Sequence, residues 1–175
     1  VELKDSGQDI FVELSKEGMQ VMFLTPKDGI ILQVGDSCEV QVKQQEATSV
    51  TLYKNDEQVA TTSETTLSYT FEAMVAEDVL FKAVATDGSQ SVEKSISIAV
   101  LGATEQATRP AGAEDGVTVE GADATFVLYA PGKQSVVLLG DFNDYKPSNN
   151  YLMKRDGDYF WTTVEDLDMG TEYGY

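Results

Sequence analysis

The chain has no histidine and a single cysteine, Cys38. Without histidine, the Ser-His-Asp and Cys-His nucleophile systems are excluded, and so is the commonest zinc ligand. Paired carboxylates remain open as chemistry. The candidates are Glu165-Asp166 with Asp168, Asp141 with Asp144, and Asp156 with Asp158. These sit on hairpin-like stretches without a cleft-forming scaffold, which argues against a hydrolase built from them. None matches the Asp-x-Asp-x-Asp-Gly calcium loop. With 30 acidic and 12 basic residues, adjacent carboxylates follow from composition alone. No metal and no cofactor is expected. Cys38 can form no intramolecular disulfide. In Ser37-Cys38-Glu39-Val40 it reads as a small apolar strand residue; a reactive thiol or an intermolecular bridge is the alternative.

Aromatic side chains offer different chemistry. Sugar rings present apolar C–H faces, and flat aromatics pack on them by dispersion and burial. Tyr145 and Tyr151 lie in a long polar loop from Asp141 to Asn150 and just beyond it. Trp161 lies in Tyr159-Phe160-Trp161-Thr162, where alternation puts it on the face of Tyr159 and Thr163. Tyr145 reads as packing its own loop. Trp161 is a core or inter-domain residue or a sugar platform. Tyr151 is a loop residue or an addition to such a platform. Gly140-Asp141 with Asn143 makes a tight turn whose side chains can bond backbone, so this stretch has a structural reading that needs no ligand.

The elements that must position these residues are strands. From Met19 on, turn signals recur about every eight to twelve residues. Met19–Leu24, Cys38–Lys43, Val50–Tyr53, Gln58–Ala60, Thr66–Phe71, Val79–Ala85 and Ser95–Val100 read as strands. Asp87-Gly88 is a favoured hairpin pair. Glu72–Asp78 is long enough for one helical turn only. About seven short strands in some 80 residues mean a sandwich, and the missing Cys-Trp-Cys pattern excludes an antibody-type core. An immunoglobulin-like or fibronectin-III-like sandwich is expected over 18–100. Residues 1–17, with Ile10–Leu14, read as a lead strand or the tail of something upstream. Residues 101–116 are small and aperiodic with one proline and read as a linker. Strand signals resume at Ala124–Ala130, Ser135–Leu139 and Tyr159–Val164, and Asp156-Gly157 suits a hairpin. Thr171, Tyr173 and Tyr175 alternate to the last residue, so 117–175 reads as an unfinished domain. The start at Val1 reads as a processed protein or an excised segment. The fold class is therefore all-β, as tandem β-sandwiches.

The net charge is −18. That argues against nucleic acid, which needs clustered Lys and Arg, and against anionic lipid. A neutral ligand such as a sugar is compatible with this field. No apolar run approaches a membrane span and no signal peptide is present.

Four pieces stand in order: Phe126–Pro131, Val136–Asn143 with Gly140-Asp141-Phe142-Asn143, Met153–Trp161, and Leu167–Tyr175. This order resembles the N-terminal domain of isoamylase, pullulanase, glycogen branching enzyme and related amylases, the domain type of the family 48 glycogen-binding module. The resemblance covers 117–175 and implies an early-set (E-type) sandwich. In glycogen-binding relatives a tryptophan follows the Gly-Asp-Phe-Asn-x turn and stacks on glucose; Tyr145 stands at that position here, with less area. The resemblance implies a tentative carbohydrate site of Tyr145, Asn143, Trp161 and Tyr151. The family's further contacts, a lysine and a second tryptophan, would fall after Tyr175.

The expectation that follows is a non-catalytic N-terminal part of a secreted, periplasmic or cell-surface α-glucan-acting glycoside hydrolase. Its partners would be starch, glycogen or maltooligosaccharide and its own downstream (β/α)₈ barrel, which carries the catalytic carboxylates. The alternatives are a stand-alone carbohydrate-binding protein and an adhesion or scaffold protein of tandem sandwiches.

Overall fold

A computed structural model describes residues 18–175. The expected lead strand at Ile10–Leu14 lies outside the described residues. The first module packs two sheets face to face. One is three-stranded: β1 (Gln20–Thr25), β3 (Ser37–Gln45) and β6 (Thr66–Glu72), in the order β1-β3-β6. The other is five-stranded: β2 (Ile30–Gln33), β4 (Ser49–Lys54), β5 (Glu57–Thr62), β7 (Glu77–Thr86) and β8 (Ser91–Leu101), in the order β2-β8-β7-β4-β5. All pairs are antiparallel except β2 with β8.

Alternation selects the core. Val40 and Val42 of β3, Leu67 and Phe71 of β6, Leu52 of β4 and Phe81 of β7 point inward and are buried. Full burial of each large apolar side chain stabilises by about 1.5–3 kcal/mol. Cys38 packs at the margin of this core, and burial pushes its thiol pKa up. Gln44 is buried too, and is satisfied: its amide accepts from Ala47 N–H and donates to the Glu64 carbonyl.

Three local expectations need correction. Glu72–Asp78 forms no helical turn; the chain leaves β6 at Glu72 and re-enters β7 at Glu77. The Asp87-Gly88 hairpin closes through a longer loop, because Thr86 pairs with Ser91 and Asp87 Oδ1 accepts from both Ser89 and Gln90 N–H. Ser135–Leu139 is not one strand. Its backbone is shared: Leu138 N–H donates to Tyr151 and the Val136 carbonyl accepts from Met153, and only Leu139-Gly140 joins a ladder. β2 gave no sequence signal, being four residues directly after a turn cluster.

The second module holds β9 (Gly116–Glu120), β10 (Asp123–Tyr129), β12 (Lys154–Asp156) and β13 (Tyr159–Val164), in the order β12-β13-β10-β9. A short pair, β11 (Leu139–Gly140) with β14 (Tyr173–Gly174), lies across it. Ala124, Phe126, Leu138, Met153 and Phe160 form its core. The hairpin β12–β13 turns on Gly157-Asp158, with Gly157 at φ 65°.

The stretch read as a linker starts inside β8 and then runs along the outer edge of β12. Gln106 bridges Arg155, and Arg155 N–H donates to the Glu105 carbonyl at 2.7 Å. The two modules also share a small apolar cluster: Ala99 and Leu101 of β8 meet Val137, with Leu139, Tyr151 and Leu152 around it.

Candidate functional site

The turn Gly140-Asp141-Phe142-Asn143 leaves β11 in a 3-10 turn over Asp141–Asn143. Each of its four side-chain positions has a packing duty. Gly140 has no room for a Cβ against Phe142 and the Glu172 carbonyl. Asp141 accepts from Glu172 N–H at 2.9 Å and so ties the turn to the approach of β14. Phe142 packs on Phe126 and Tyr151, at centroid distances of 6.4 and 4.9 Å. Asn143 Oδ1 accepts from Gly140 N–H at 2.9 Å, and its Nδ2 donates to the Leu138 carbonyl at 3.0 Å.

The chain then passes through two successive left-handed residues, Asp144 (φ 53°) and Tyr145 (φ 54°). For non-glycine residues this conformation costs about 1 kcal/mol each, and it persists only where the surroundings hold it. The result is a loop tip with Tyr145 46% exposed. Loss of water contact raises its hydroxyl pKa, as do the nearby Asp141 and Glu172 carboxylates. An exposed ring is suited to a neutral polyhydroxyl ligand, whose C–H faces it can pack.

Of the four residues named from sequence, the structure brings three together. Asn143 shapes the turn, Tyr145 tops it, and Tyr151 supports it from beneath, its hydroxyl donating to the Phe142 carbonyl at 3.4 Å. Trp161 stands apart. It is 9% exposed and pairs with Val127 on the sheet face opposite Phe126 and Phe160. Its indole N–H donates to the Ala107 carbonyl at 2.8 Å, and the Lys154 ammonium lies over its ring. The segment 105–109 covers that face, with the Arg109 guanidinium 3.9 Å from the Tyr159 ring centroid.

Sequence reasoning missed the residues that flank the tip. Lys146 pairs with Asp28 at 3.2 Å. Ser148 Oγ and Asn149 N–H both donate to the Asp78 carboxylate, at 2.8 and 3.0 Å. Asn149 Nδ2 also donates to Asp78 and to the Val100 carbonyl, and its Oδ1 accepts from Gly102 N–H. Polar contacts between segments some 70 residues apart leave no periodic trace in sequence.

Among the described residues no three His, Cys, Asp or Glu side chains converge as a metal set, and no buried side-chain N or O lacks a partner. An apolar pocket of about 340 Å³ lies elsewhere in the second module, lined by Val117, Val119, Ala124, Phe126, Leu167 and Tyr173 among others. Tyr145, Tyr151 and Trp161 do not line it.

Residues 113–175 match the family model of carbohydrate-binding module 48, the isoamylase N-terminal domain. No curated protein matches the chain. Among solved structures, the fibronectin(III)-like modules of Clostridium thermocellum CbhA are 15% identical, with a TM-score of 0.42, over 46% of this chain and 94% of that one. The endo-β-1,4-mannanase of Thermotoga petrophila is 14% identical, with a TM-score of 0.40, over 54% of this chain and 21% of that one. A Bacteroides uniformis β-glucuronidase is 8% identical, with a TM-score of 0.39, over 90% of this chain and 29% of that one.

Proposed function

We propose that these residues are the non-catalytic accessory part of a secreted or surface-held α-glucan-acting glycoside hydrolase, and that Tyr145 contacts the glucan. The observation that carries this reading is the exposed Tyr145 ring, raised on the Gly140–Asn143 turn inside the stretch that matches carbohydrate-binding module 48. Three further features support it. The acidic surface suits a neutral ligand over a phosphate polymer. The Asn143 and Asp141 side chains bond backbone on both sides of the turn and hold the ring at its tip. The matched family model is that of a carbohydrate-binding module, and catalysis is assigned to a barrel elsewhere in the parent protein. The buried Trp161 leaves a one-ring platform, which favours weak contact.

The test is a titration of the chain with maltoheptaose, followed through backbone amide signals. Shifts confined to residues around 141–151 are expected, with Tyr145→Ala weakening binding roughly tenfold. No shift at all would remove the glucan reading, and shifts only around Trp161 or in the first module would remove Tyr145 as the contact. The parent enzyme is tested separately, by the coding sequence that follows Tyr175. A stop there would sink that part, and a long (β/α)₈ pattern would support it.

A further inference from the structure

We infer that the first module is a buttress for the Tyr145 loop, and that Asp78 is its positioning residue; this rests on the glucan reading above. The loop tip is strained at two consecutive residues, so something must hold both of its sides. On the N-terminal side the holder is local: Asn143 bonds Gly140 and Leu138. On the C-terminal side, four consecutive residues after Tyr145 reach the other module. Lys146 pairs with Asp28. Pro147 lies against Gly29, where an added Cβ would meet its Cδ at 3.6 Å. Ser148 and Asn149 close on Asp78.

Asp78 is suited to this role. It sits at the start of β7, inside a ten-residue strand paired along its length with β8. It cannot shift without moving that sheet. Its carboxylate takes the Ser148 hydroxyl, the Asn149 N–H and the Asn149 amide, so side chain and backbone of the loop are fixed together. Asn149 adds two bonds to backbone beyond Asp78, at Val100 and Gly102. A second module free of the first would keep the Asn143 anchor and lose every one of these. The orientation of the Tyr145 ring is thus set across the module boundary, and glucan affinity depends on a residue that touches no sugar.

The experiment compares wild type, Asp78→Ala, Asp78→Asn, Asn149→Ala and Tyr145→Ala in the same chain. It reads amide hydrogen exchange, maltoheptaose affinity and the unfolding midpoint. Expected are at least tenfold faster exchange over 145–151 in Asp78→Ala and Asn149→Ala, and three- to tenfold weaker binding, with strand exchange unchanged. Asp78→Asn keeps one carbonyl acceptor and should fall between. Tyr145→Ala should weaken binding without quickening loop exchange. Unchanged loop exchange in Asp78→Ala overturns the inference, whatever the binding. Faster exchange with unchanged affinity also overturns it, while loss of binding in Tyr145→Ala leaves the glucan reading standing. Failure of the wild type to bind sinks the glucan reading, and the positioning role falls with it.

Discussion

A Cβ on Gly140 would stand 2.7 Å from the Glu172 carbonyl oxygen, and closer still to the Phe142 ring. The glycine is therefore set by packing between the turn and β14, not by a left-handed backbone. Gly140→Ala forces either the ring or the β11–β14 pair to move. Overpacking of this kind costs about 1–3 kcal/mol. Urea unfolding followed at second-module signals should show that loss; a change under about 0.5 kcal/mol would mean the turn yields freely.

Asn143 and Tyr145 should separate stability from binding. Asn143→Ala removes a donor and an acceptor that hold backbone, at about 1–2 kcal/mol. Tyr145→Ala leaves stability within about 0.5 kcal/mol, since the ring is exposed. The check is the unfolding midpoint of each variant. A large loss in Tyr145→Ala would recast that ring as loop packing.

Trp161 is the single tryptophan and reports its own site. Its burial predicts blue-shifted emission, poor quenching by acrylamide, and no response to maltoheptaose. Trp161→Phe loses the bond to Ala107 and should destabilise by about 1 kcal/mol. A clear emission change on adding glucan would place sugar against the indole after all.

Asp28 links stability to pH. Burial raises its carboxyl pKa, but the Ser97 N–H and hydroxyl together with the Lys146 ammonium outweigh that and hold it below its usual 3.8. A depressed pKa contributes stability above the unfolded value and loses it as pH falls through the folded one. Asp28→Asn should therefore be less stable than wild type at pH 5 to 7, with the difference shrinking below about pH 4. The carboxylate is largely open to solvent, so salt should also reduce the effect. Thermal unfolding across that range decides it; a difference that persists at pH 2.5 would assign the loss to packing.

Strand periodicity was the most legible feature. Val40 and Val42 in β3 announce their buried face by alternation alone, whereas in β13 the adjacent Phe160 and Trp161 are both buried, on opposite faces. Between the expected strands Val50–Tyr53 and Gln58–Ala60 the structure turns on Asn55 and Asp56, both left-handed. What stayed hidden has a common cause. β2 borrows its partner, β8, from 60 and more residues away. Asp78 and Asn149 are ordinary polar residues until the fold apposes them. Residues 101–116 lack periodicity because the backbone at Glu105 to Ala107 makes the pairing with β12, while side chains such as Glu105 and Arg109 make single polar contacts to Lys154 and Asp156. Pairing through backbone is silent in composition.

That strap along β12 has a consequence for how the protein divides. The match to the module family begins at residue 113, yet Glu105, Gln106 and Ala107 cover the β12 edge and the Trp161 indole N–H. A fragment cut at 113 would carry the whole matched stretch and still present a bare strand edge and an unanswered donor. Such an edge is a template for pairing with another chain. The stretch that matches and the stretch that closes its own sheet edge differ by those few residues, and the second is the longer.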